Sequence, residues 1–147
     1  MNAKDREEVR QTLEELPKIK IELSILQKEL DDIQACNNRL SAHDIPINNQ
    51  IRQNCNSIAQ EIRQEIKAKE KVRQNVLDAI DAMQETARGD WWLSEYLYYR
   101  YEEGMTHEKA SRLLGLSDDY TKHRSARALQ MFAKAWKEKQ EKQLKLV

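Results

Sequence analysis

The chain has 147 residues with only three glycines and two prolines, room for one ordinary domain or for a small domain on an elongated module. One phenylalanine and 34% charged residues exclude a large globular core, and 25 basic against 25 acidic residues exclude a strongly basic or acidic protein. There is no long apolar run and no signal-peptide pattern, which predicts a cytoplasmic protein with no membrane partner. Apolar residues recur at helical rather than alternating spacing, so the expected fold is all-α.

Residues 9 to 40 follow a seven-residue repeat. Val9, Leu16, Leu23 and Leu30 hold one seam position, and Ile19, Leu26, Ile33 and Leu40 the other, with Thr12 and Asn37 as polar members. That pattern predicts a coiled coil, with Leu16, Leu23, Leu26, Leu30 and Ile33 as oligomerisation residues. Pro17 lies on the outer side of the repeat and predicts a kink or a first turn, so the firm helix is expected from about Leu16. Cys36 and Cys55 fall in helical patterns without CxxC spacing and read as seam residues rather than a disulfide or metal site.

Asn37-Asn38 and the run from Ser41 to Pro46 predict a turn. A second helix should then run from about Ile47 to Ala87, with Ile51, Cys55, Ile58, Ile62, Ile66, Val72, Val76, Ile80 and Met83 apolar. Two pairs at eleven-residue spacing, Ile51 with Ile62 and Cys55 with Ile66, recur as Val72 with Met83 and Val76 with Ala87, a period that gives nearly straight packing. About 40 residues span roughly 60 Å, whereas 24 residues of the first helix span about 36 Å. The shorter helix cannot cover the longer one, which predicts a homodimer or higher oligomer. Residues 1–88 are thus expected to form a helical hairpin or coiled-coil oligomerisation stalk. Two readings of it stay open: a spacer that dimerises the C-terminal domain, or a docking surface for RNA polymerase or a regulatory protein.

Residues 89–147 read as a small helical domain. Gly89 should stop the long helix and Asp90 cap the next, which runs from 91 to 103 with Leu93, Tyr96, Leu97 and Tyr101 at core-like spacing. Gly104 closes that helix and Thr106 caps another. Leu113-Leu114-Gly115-Leu116 gives a glycine-centred turn, and Ser117 caps a last helix carrying Lys122, Arg124 and Arg127. From Ser117 onward eight basic residues accompany four acidic ones, whereas the first 89 residues are slightly acidic. A helix, a tight turn and a basic helix make the grammar of a DNA-reading helix-turn-helix. Leu129, Phe132, Ala133 and Trp136 should close the core toward residue 140, leaving a fraying tail.

From Leu93 to Phe132 the chain resembles the C-terminal promoter-reading helix-turn-helix of bacterial sigma factors. The resemblance rests on Arg100-Tyr101 before Gly104, Met105-Thr106, Leu114-Gly115-Leu116-Ser117 at the turn, and Arg127-Ala128-Leu129. With a charged coiled N-terminus in so short a chain, it also resembles phage late-gene transcription regulators of the RinA, ArpU and LtrC type. The resemblance implies that the last helix enters the major groove of double-stranded DNA in a bacterial or phage-infected cell. Carried onto this sequence, the DNA-binding positions are Asp118, Asp119, Lys122 and His123, with Tyr120 beside them. Thr106 and Ser117 would approach phosphates at helix N-termini, and Arg127 would hold backbone. Departures from the family are Asp118 at a usually basic position, Thr121 and Arg124 where branched apolar residues stand, and Ala110-Ser111. They predict a loosely packed head or an unusual reading preference.

The leading expectation is a sequence-specific DNA-binding transcriptional regulator, with late-gene activation preferred through the resemblance alone. The alternative is a coiled-coil interaction adaptor or anti-regulator whose degenerate head does not read DNA, favoured by zero net charge and Asp118-Asp119. A third reading is a phage packaging subunit. An enzyme is the poorest fit: His43, His107 and His123 are scattered, and HExxH, a glycine-rich phosphate loop and a nucleophile elbow are all missing. No cofactor or metal is expected.

Overall fold

Helices account for every regular element in the computed structural model, which describes residues 2–42, 49–85 and 90–145, and no strand occurs among them. In chain order these are α1 (Ala3–Ala42), α2 (Asn49–Ala82), a 3₁₀ turn (Met83–Glu85), α3 (Trp92–Leu97), a π-helical turn (Tyr98–Glu102), α4 (His107–Leu114) and α5 (Asp118–Lys145). No helix among them is long and apolar enough to cross a membrane. His43 to Pro46 and the expected helix stop at Gly89 lie outside the described residues.

The first helix corrects the expectation built on Pro17. It starts at Ala3, where the Asn2 side chain accepts a hydrogen bond from the Asp5 amide at 2.8 Å, and it keeps helical backbone through Pro17. An interior proline costs about 3 kcal/mol, but burying a leucine gains about 1.5–3 kcal/mol, and Leu13 and Leu16 are both wholly buried. Asn37, Asn38 and Ser41, expected in the turn, remain in this helix, and the Ser41 hydroxyl donates back to the Asn37 carbonyl at 3.0 Å. At 40 residues α1 outlasts α2, which has 34. The first helix is thus the longer of the two, the reverse of the mismatch that was expected.

Tertiary contacts divide the chain into Met1–Lys18 with Arg73–Val147, and Ile19–Val72. This division differs from the boundary expected at 88/89. Its cause is the apolar content of the first turns of α1 and the last turns of α2, which belong to the same core as the C-terminal helices.

Within Ile19–Val72, Leu26 and Leu30 pack against Ala59 and Ile62, flanked by the half-buried Ile33 and Ile66. Glu22 and Lys69 form an ion pair. Cys36 and Cys55 are free and half-buried. The seam is thin, and Ile21, Ile25, Ile51, Ile58 and Val72 stay exposed. Of the eleven-residue pairs, Ile62 and Met83 turn inward whereas Ile51 and Val72 do not.

Within the other unit, Leu13 and Leu16 of α1 join Val76, Ala79, Ile80 and Met83 around Leu93, Leu97 and Phe132. Trp136 stacks on Phe132 with ring centroids 6.0 Å apart. Helix α5 runs beyond the expected fraying point to Lys145. Glu138 and Glu141 each precede a lysine by four residues, a favourable helical spacing, and Lys139 reaches Asp78 at 3.2 Å. The Gln74 amide, and then Lys139, hold the Asp78 carboxyl below its ordinary value.

Candidate nucleic-acid interface

The candidate site is built on α4, the turn after it, and the start of α5. Thr106 caps α4 by accepting from the Lys109 amide at 3.2 Å, and Ser117 caps α5 by accepting from the Tyr120 amide at 3.2 Å. Between them Gly115 takes a left-handed conformation (φ 71°), so that its amide and that of Leu116 return to the Arg112 and Ser111 carbonyls. Gly104 ends the preceding π turn in the same region of backbone space (φ 69°), where the Met105 amide reaches back to Tyr99. Gly104, Thr106, Gly115 and Ser117 thus each do the local geometric task read from the sequence. The two cap hydroxyls spend one acceptor position each on the helix they start.

The polar residues that departed from the family pattern satisfy one another, so the expected loose packing is not what the fold shows. Ala110, Ser111 and Thr121 are wholly buried. The Ser111 and Thr121 hydroxyls lie 2.5 Å apart, and Thr121 also meets His107 Nε2 at 3.1 Å. On the other side of the ring, His107 Nδ1 lies 2.7 Å from the Tyr96 hydroxyl. With Tyr96 donating, Nδ1 accepts and the ring proton sits on Nε2, facing the Thr121 hydroxyl and the Asp118 carbonyl (3.1 Å). Burial raises the Tyr96 phenol above its ordinary value, which Arg100 partly opposes, so Tyr96 stays protonated as this chain of bonds requires. One polar network therefore joins α3, α4 and α5. Replacing Thr121 by valine keeps the shape but removes the hydroxyl that joins Ser111 to His107, each of which keeps one other bond, and is expected to cost about 1 kcal/mol in urea unfolding. An unchanged midpoint would mean that water replaces the hydroxyl.

The predicted DNA-binding residues separate into three groups. Asp118, Asp119, Lys122 and His123 are exposed, and their spacing places them together on the first two turns of α5. Asp118 and Asp119 sit in its first turn, where the helix dipole favours them. Tyr120 is 39% exposed, but its ring lies 5.8 Å from that of Trp92 and under the Arg124 guanidinium at 4.5 Å. Arg127 pairs with Asp90 at 2.6 Å, and Arg124 pairs with the same carboxylate at 3.0 Å. Asp90 therefore does not cap α3 with its side chain. The backbone carbonyl of Asp90 receives the Leu93 amide, while the buried carboxylate faces α5.

Arg124 and Asp90 were not among the expected site residues. The signal for them was a charged residue at an apolar helix position, which demands a partner. That partner lies 34 residues away, beyond the reach of a local pattern.

The expected oligomerisation residues are placed inside the chain. Leu16 is wholly buried in the C-terminal unit's core, Leu26 and Leu30 are buried in the hairpin seam, and Leu23 and Ile33 are half-buried. Three or more metal-ligating side chains do not cluster anywhere among the described residues. No protein-family model, curated protein or solved structure matches this chain.

Proposed function

We propose that the chain is a sequence-specific DNA-binding transcriptional regulator that places the start of α5 in the major groove of double-stranded DNA. The observation that carries this reading is the capped α4–turn–α5 unit. Its polar network fixes the two helices, while Asp118, Asp119, Lys122 and His123 on the first two turns of α5 remain exposed. Lys122 suits a phosphate or guanine, and His123 can donate or accept at a base edge. The sigma-factor resemblance adds the expectation of late-gene activation through RNA polymerase in a bacterial or phage setting. A homodimer, if it brings two heads to adjacent half-sites, draws on the exposed Ile21, Ile25, Ile51 and Ile58 rather than on the covered leucines.

Fragmented source-genome DNA, captured by the purified protein at physiological salt and sequenced, tests the reading. Enrichment of one or a few sites supports it; uniform or absent recovery from folded protein removes it. Lys122→Ala should shallow the salt dependence of binding by about one ion if the contact is to phosphate. An unaltered affinity would take Lys122 out of the interface.

The second reading, a protein-interaction adaptor, has its own observation. Asp118 and Asp119 are exposed at the start of α5, while Arg124 and Arg127 both face Asp90. A failed DNA capture sends the search to protein partners.

A further inference from the structure

A charge cluster of one carboxylate and two guanidiniums lies where the segment before α3 meets α5. Asp90 is held there by its backbone, and its side chain is only 9% exposed. Its Oδ1 accepts from Arg124 Nη1 at 3.0 Å and its Oδ2 from Arg127 Nη1 at 2.6 Å. The two arginine side chains are 40% and 51% exposed, so the anion lies beneath and the cations lie outward.

Each guanidinium has five N–H donors, and in each only Nη1 is bonded to Asp90. Two cations around one carboxylate leave a net charge of +1. Arg124 is further fixed over the Tyr120 ring. Residues three apart on a helix share a side, so both guanidiniums open toward the same region. Planar forks anchored from below lose little freedom when they bind, and their donors match phosphate oxygens.

We propose that Arg124 and Arg127 form a two-arginine subsite for a backbone phosphate of double-stranded DNA, with Asp90 as the positioning residue. The proposal rests on the DNA-binding reading of α5 and adds a phosphate contact beside its base-reading face. Arg124→Gln or Arg127→Gln leaves the remaining pair neutral. Either substitution should therefore lower the slope of log affinity against log salt by about 0.9, the value for one phosphate. Asp90→Asn keeps both cations, so the slope does not fall, but one of the two acceptor oxygens and the negative charge that hold the guanidiniums are lost.

The test is titration of the full chain with a labelled mixed-sequence duplex, in parallel with NMR of the arginine Nε–Hε groups. The expected result is a shallower slope in both glutamine variants, with Arg124 and Arg127 signals that move in the wild type when duplex is added. In Asp90→Asn those signals should already be broadened before any DNA is present. Duplex binding with an unchanged slope in both folded variants, and unmoved arginine signals, would overturn the subsite while leaving the DNA reading intact. If a glutamine variant fails to fold, the wild-type NMR titration decides alone. Inorganic phosphate that moves the signals when duplex does not would make this a free-anion site and overturn the assignment to DNA. No duplex binding at low salt would remove both the reading and the subsite.

Discussion

Leu16→Ala is expected to destabilise the C-terminal unit by about 2–5 kcal/mol, the range for truncating a large aliphatic side chain in a packed core. Leu16 is wholly buried, and its neighbours in the same core include Leu13, Val76 and Ile80. Because domains have only about 5–15 kcal/mol of net stability, this loss is a large share of the whole. It should appear as a lower urea midpoint, equal at low and high protein concentration, because the atoms covering Leu16 come from its own chain. A midpoint that falls on dilution, already in the wild type, would return Leu16 to a seam between chains.

Arg73→Met should have a comparable effect for a different reason. Glu102 lies on the π-helical turn with its side chain 3% exposed, and Arg73 of α2 donates to its Oε1 through Nε at 3.2 Å and also through Nη2. Removing the guanidinium leaves a buried carboxylate without this cation, a change that costs about 3–5 kcal/mol for a fully buried pair. Arg73 is 35% exposed, so solvent screening puts the expected loss at the lower end, on the order of 3 kcal/mol. Glu102→Gln in the same chain should restore part of it, and a double-mutant cycle by urea unfolding measures the coupling. Additive losses from the two substitutions would show that the pair contributes no coupling.

Much of the secondary structure was legible from local chemistry. Thr106 and Ser117 cap helices, and Gly104 and Gly115 take left-handed backbone, because these tasks depend on residues within one turn of the chain. Pro17 misled for the opposite reason: its local penalty was outweighed by leucine burial that no helix-breaking rule registers. The π turn at Tyr98–Glu102 had no pattern of its own, since it inserts a single wider turn into a sequence that reads as continuous helix.

The candidate site was half legible. Asp118, Asp119, Lys122 and His123 came from the sigma-factor resemblance, and their helical spacing sets them together on the first two turns of α5. Ser111, Thr121 and Arg124 read as flaws, because the partners that satisfy them lie on other elements: Ser111 and Thr121 meet across α4 and α5, Thr121 also meets His107, and Arg124 meets Asp90. Likewise the heptad identified an apolar seam but not its occupant, since a leucine row packs equally well against its own chain or another.

By itself the sequence determined an all-helical chain and the capped turn between α4 and α5. These follow from backbone geometry and 3.6-residue periodicity, which act over a few residues. Tertiary structure alone decided that the first turns of α1 belong with the C-terminal helices, that Leu16 is core, and that Asp90 holds two arginines. Those outcomes depend on which distant apolar surfaces are buried together and which buried charges find a counter-charge, and neither is encoded in any short stretch of chain.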